Sequence, residues 1–189
     1  LAADIQAKGV DPARNTYTRT YGSADLDSAL LVLPLIGLEN AGSALVGGTV
    51  DAVRTELSAG GPLLYRYPPG QDGLAGGEGA FLPCSFWLVQ ALALTGRSAE
   101  ARDLFRELLT VASPLGLFSE EADPASGALL GNYPQALTHA SLVQAALALR
   151  DCHRAAEQAP AGRPPPDPSF SPGFPDSKND GGARHGAHV

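Results

Sequence analysis

The sequence predicts an all-α protein built as an α/α toroid, a ring in which inner and outer helices alternate. Three observations predict it. The segments Leu26 to Leu38, Phe81 to Leu94 and Pro134 to Arg150 are apolar around most of their circumference, which predicts helices enclosed on nearly all sides. Two segments between them, Ala44 to Leu57 and Ser98 to Val111, carry apolar residues on one face only. The apolar helices start at Leu26, Phe81 and Ala136, each 55 residues from the next, so inner helix, outer helix and loop recur with one period. A ring accounts for both helix types, because inner helices are walled in by neighbours while outer ones show a face to water.

Taken in chain order, Leu1 to Gly9 reads as the last turns of a helix closed by a glycine. With no methionine in the chain, this opening is expected to belong to a longer polypeptide. Asp25 and Asp27 stand in the first turn of the first inner helix, where carboxylates suit the helix dipole. In the first outer helix Val46, Val50, Val53 and Leu57 fall at helical spacing. Pro83 is tolerated in the opening turn of the second inner helix. Ser98 is the expected cap of the second outer helix, and Asn132 to Gln135 reads as a capping box, with Pro134 in the first turn of the third inner helix. Half a ring would leave inner-helix apolar surface uncovered, a second reason to expect further sequence.

Composition narrows the function. The chain has 189 residues, 44% of them hydrophobic and 17% charged, as soluble globular proteins do. A net charge of −7 without clustered Lys and Arg argues against nucleic acid or an anionic membrane as partner. The longest apolar stretch, Leu30 to Leu38, is far short of the ~20 residues that span a bilayer. A cytoplasmic location is the expectation. Cys84 and Cys152 read as separate thiols, since two cysteines define neither a disulfide framework nor a zinc site. Residues 1–155 form the expected folded unit. The proline- and glycine-rich stretch 156–189 has little to bury and is expected to be disordered, with His185 and His188 solvated rather than metal-bound. No cofactor or metal is expected.

The inner helices are entered through long loops rich in glycine, aromatic and acidic residues, whereas returns such as Thr95-Gly96-Arg97 are tight, which gathers the functional loops on one face. That face holds Thr18 to Asp27, then Tyr65-Arg66-Tyr67 with Gly76 to Phe81, then Gly116 to Pro124. Carboxylates, aromatic rings and an arginine around a concave mouth suit a sugar, the rings for apolar pyranose faces and the charges for hydroxyls.

Gly77 to Val89, Leu117 to Pro124 and Gly131 to His139, together with Tyr21 to Asp27, resemble in order and spacing the consecutive signatures of bacterial glycoside hydrolase family 15, the glucoamylase and trehalase-like enzymes. The resemblance covers roughly residues 9 to 151. It implies an (α/α)6 barrel, of which this chain holds about the C-terminal half, and an inverting hydrolysis in which an acid protonates the leaving oxygen while a base activates water. It places the base at Glu120, with Glu121 the alternative one residue on. The acid would lie upstream of Leu1. The implied partners are an α-glucoside, either a starch-derived oligosaccharide or trehalose, and the N-terminal half of the same enzyme. Without that half the chain is expected to be inactive.

Tyr21, Asp25, Asp27, Arg66, Tyr67, Glu78 and Trp87 are the candidate substrate-binding residues. Five of them have a plainer reading: Asp25, Asp27 and Glu78 as helix-start charges, Arg66 in a rim ion pair, Trp87 in the core. His139 reads as a hydrogen-bonded core histidine before a catalytic one. The competing classes are a helical-repeat module that binds protein or carbohydrate on its concave face without catalysis, and a toroid with sugar transferase or isomerase chemistry.

Overall fold

Six α-helices and three small antiparallel ladders make up residues 1–70 and 78–158, which are the residues described by the structure, a computed structural model. Gly76 and Gly77, the tail from residue 159 and both tail histidines lie outside the described residues. The helices are α1 (Ala2–Lys8), α2 (Val32–Leu35), α3 (Ala44–Glu56), α4 (Leu82–Leu94), α5 (Ser98–Leu109) and α6 (Ala136–Gln158). Strand pairs are β1 (Val10–Asp11) with β2 (Thr16–Tyr17), and β3 (Ser58–Gly60) with β4 (Leu63–Leu64). A three-stranded ladder runs β5 (Ala80–Phe81), β6 (Glu121–Ala122), β7 (Leu129–Leu130).

Helix α4 is the hub. Eleven of its residues, from Leu82 to Ala93, are buried, and α5, α6, α2 and the Ser28–Leu31 turn all pack on it. Phe86 anchors the centre, edge-on to Phe105 and Phe118 at 6.2 and 5.4 Å. Side chains of this size each contribute ~1.5–3 kcal/mol on burial. Helix α3 buries Val46, Thr49, Val50 and Val53 along one stripe, and α5 buries Ala101 and Leu108, so both behave as outer helices. Ser43 caps α3 through Val46 N–H.

The first inner helix is much shorter than expected. Asp27 is extended (φ −139°) and its carboxylate accepts Ala29 N–H, starting a 3-10 turn at Ser28–Leu31 that runs into the single turn of α2. Gly37 then turns left-handed (φ +71°), and Pro34 has no N–H to extend the ladder. Phe81 belongs to β5, not to α4. Arg97 stands at the cap of α5 and Ser98 is already helical, so the expected Ser98 cap is not formed. The Asn132 capping box is not formed either: Asn132 N–H is donated to Glu120, the Tyr133–Pro134 peptide is cis, and α6 starts at Ala136. Helix α6 also continues to Gln158, past the expected start of the tail.

The expectation of all-round burial fails for α6. Only Thr138, Ser141 and Ala145 are buried, while Leu137, Val143 and Leu147 are 47%, 55% and 41% exposed. Composition made this helix look enclosed, but α4 and α5 cover one side of it alone. Beside it, Val32, Leu35, Ile36, Trp87, Leu94 and Ala148 line an apolar groove of about 370 Å³. No helix among the described residues is long and apolar enough to cross a membrane.

Candidate active site

The loop from α5 to α6 returns to the first turn of α4 and is pinned there. Leu82 N–H donates to Glu120 O at 3.0 Å, and Glu120 N–H to Asn132 O at 2.9 Å. One residue on, Glu121 pairs with Phe81 on one side and Leu130 on the other. Glu120 itself lies at a bend just before β6, so the two glutamates are held differently: Glu120 through its own backbone bonds and Glu121 within the ladder.

Each glutamate leans on a glycine. A Cβ built on Gly131 would stand 2.9 Å from both Cβ and Oε2 of Glu120, and one on Gly79 would stand 2.6 Å from Oε2 of Glu121. Gly131 is also left-handed (φ +72°), a conformation that turns the next amide back. That amide, Asn132 N–H, donates to Glu120 Oε2 at 3.2 Å. The sequence pattern singles out neither glycine as functional, although both fall inside the stretches that resemble the family. The missing signal was the fold, which brings positions eleven and forty-two residues apart into contact.

The start of α6 holds the preceding residues. Gln135 N–H donates to Phe118 O at 3.0 Å, Thr138 Oγ1 to Ser119 O at 2.9 Å, and Phe118 N–H to His139 Nε2 at 3.3 Å. Phe118, Ser119 and Thr138 are all buried. His139 is hydrogen-bonded, as expected, but half-buried rather than in the core.

Three expected stretches meet around the same end of α4. Ser28 N–H donates to Arg66 O at 2.7 Å and Ser28 Oγ to Tyr65 O at 2.7 Å, so the Asp27 turn and the Tyr65–Tyr67 strand exit are joined. Asp27 Oδ1 lies 3.6 Å from Arg66 Nε, the rim ion pair. Both charges reach Cys84 in the first turn of α4, whose thiol is pushed up mainly by burial and then by the Asp27 charge. Tyr67 receives the Arg19 guanidinium over its ring at 5.5 Å, and Arg19 N–H is donated to Asp25 O at 2.8 Å. Glu78 is half-buried immediately before Gly79.

Two candidates lie apart from this group. Tyr21 sits against α1, its hydroxyl donating to Asp4 at 3.0 Å and its ring 5.9 Å from Lys8 Nζ. Trp87 packs against the core and lines the groove between α2, α4 and α6. Glu120 and Glu121 thus meet the start of α4 at Leu82 and Phe81, with Glu78 just ahead of them in the chain, while Asp27 and Arg66 meet it at Cys84, with Tyr67 and Asp25 flanking.

The family model "Glycosyl hydrolases family 15" matches residues 1–147. The trehalase of Mycolicibacterium smegmatis is 44% identical over 146 residues, covering 77% of this chain and 22% of that protein. The trehalase of Thermoplasma volcanium is 40% identical over 151 residues, covering 80% of this chain and 24% of that protein. The chain therefore spans about a quarter of the length of these curated relatives. A solved glycosidase superposes with a TM-score of 0.66 at 22% identity, covering 79% of this chain and 42% of that one, as does a variant of it in complex with glucose. That likeness extends the fold to a known helical glycosidase, and the inner and outer helices of this chain take their place in an (α/α)6 architecture. With the profile spanning residues 1–147 and the glutamate-bearing strand lying inside it, the chain belongs to glycosyl hydrolases family 15.

Proposed function

We propose that this chain supplies the catalytic base and part of the sugar-binding wall of an inverting α-glucoside hydrolase, with trehalose the favoured substrate. The observation that carries the reading is the seating of Glu120, whose backbone is pinned to α4 and to Asn132 and whose Oε2 is held by the Asn132 amide. A base that activates water must keep one geometry through the reaction, and fixed backbone donors supply it. Trehalose is favoured over starch-derived oligosaccharides because relatives 39–44% identical are named trehalase.

In this reading Oε1 of Glu120 takes a proton from water as the water attacks the anomeric carbon. A carboxylic acid from outside these residues, its carboxyl ~6.5–9.5 Å from that of Glu120 as inversion requires, protonates the leaving oxygen. Asp27, Arg66 and Glu78 bind hydroxyls, with Tyr67 and Asp25 at the rim. Tyr21 and Trp87 are the more remote candidates. The remainder of the enzyme covers the open side of α6, and the isolated chain turns over little substrate. A cytoplasmic location belongs to the same proposal.

The test is glucose release from trehalose and from maltotriose by the complete enzyme carrying this segment, with Glu120→Gln and Glu121→Gln. Loss of about three orders of magnitude in Glu120→Gln alone supports the reading. The same loss in Glu121→Gln alone moves the base by one residue. A parent inactive on every α-glucoside would return the chain to a binding role.

A further inference from the structure

We infer that His139 is a positioning residue for Glu120, acting through the Phe118 amide; its catalytic consequence rests on the function proposed above. Proton ownership fixes the tautomer. A backbone N–H can only donate, so His139 Nε2, 3.3 Å from Phe118 N, must present a lone pair. His139 Nδ1 stands 2.7 Å from Gln135 O, a pure acceptor, and so must carry the ring proton. The two partners together assign one neutral tautomer. No other arrangement satisfies both.

From the imidazole to the glutamate the path is short. Phe118 is 1% exposed, and its N–H has no water to turn to if the imidazole acceptor is lost. Two residues later comes Glu120. The other anchors of this stretch at α6, Gln135 N–H on Phe118 O and Thr138 Oγ1 on Ser119 O, grip carbonyl oxygens. His139 alone among these three takes up an N–H, so it orients the peptide plane the others cannot. The Phe118 ring stands edge-on to the imidazole at 5.9 Å, which fixes the ring plane as well.

Two substitutions separate the two nitrogens. His139→Gln can place an amide oxygen where Nε2 was and still accept Phe118 N–H, whereas His139→Asn reaches only as far as Nδ1 and keeps the Gln135 contact instead. In the complete enzyme, hydrogen–deuterium exchange of the peptide containing Phe118 to Glu120 should quicken about tenfold in His139→Asn and stay near the parent in His139→Gln, with α5 unchanged in both. In trehalose hydrolysis, kcat should fall about tenfold or more in His139→Asn at unchanged KM, and within about threefold of the parent in His139→Gln. Equal exchange in the two variants, or equal kcat, overturns the inference. Exchange is read without turnover, so a parent that hydrolyses nothing refutes the proposed function while the exchange comparison still decides the role of His139.

Discussion

Replacing Gly131 with alanine tests the seating of Glu120 most directly. The added Cβ meets Glu120 Cβ and Oε2 at 2.9 Å, and ordinary contact begins at 3.4 Å, so the glutamate must yield by about 0.5 Å. One of the two atoms is Cβ, close to the backbone, and cannot swing aside as a carboxylate tip can. The left-handed φ of +72° adds ~1–2 kcal/mol for any residue with a Cβ. A matched control exists in Gly127, at φ +71° with nothing within 4 Å of an added methyl, so Gly127→Ala carries the backbone cost without the collision. Gly127→Ala should lose ~1–2 kcal/mol by urea unfolding, and Gly131→Ala at least as much. Only Gly131→Ala should lose catalysis, with kcat for trehalose down ~10- to 100-fold and KM within about twofold, because a displaced base weakens the reaction more than binding. Equal kcat loss in the two variants, or full activity in Gly131→Ala, would refute the claim that this glycine makes room for a base.

Two further outcomes concern stability. Asp27→Ala removes the acceptor for Ala29 N–H, at 2.7 Å, and the Arg66 ion pair, and should cost about 1 kcal/mol in urea midpoint analysis, with Asp27→Asn restoring most of it. Glu100 is held down at about 2 from an ordinary 4.5, first by its hydrogen bonds from Arg97 and then by the one from Arg54. Its folded value lies below the unfolded one, so its contribution is complete above about pH 4.5 and disappears as pH falls towards 2. The pair is well exposed, which limits the effect to ~0.5–1 kcal/mol. The advantage of the parent over Glu100→Gln should therefore be full at pH 6, reduced at pH 3 and gone near pH 2, and an advantage unchanged at pH 3 would contradict the assignment.

Much of the helical frame was legible. The stripe Val46, Val50, Val53 marks α3 because a one-sided helix repeats its apolar residues, and the unbroken run Leu82 to Ala93 marks α4 because its surroundings are apolar on every side. Helix α2 was overextended because hydrophobicity continues through Pro34 and Gly37, while the backbone limits of those residues end the helix. The burial of α6 was misread for a different reason: Leu137, Val143 and Leu147 announce an apolar face but not what covers it. Strands of two residues have no period to detect, so the β5-β6-β7 ladder left no trace in the pattern. With it went the feature that distinguishes Glu120 from Glu121, the different glycine each side chain is packed against. The convergence of Asp27, Arg66 and the start of α4 was anticipated from loop composition, whereas the diversion of Tyr21 to Asp4 was not.

The anchoring of Glu120 by main-chain groups has an evolutionary corollary. Leu82 N–H, Asn132 O and Asn132 N–H are present whatever side chains those positions carry. Substitutions other than proline therefore leave these main-chain bonds available, while a change of length between Glu120 and Asn132 alters the span that brings Asn132 back to the glutamate. Lineages of this segment should therefore accept replacements at its exposed positions, such as Ala125 and Ser126, more readily than changes in its length.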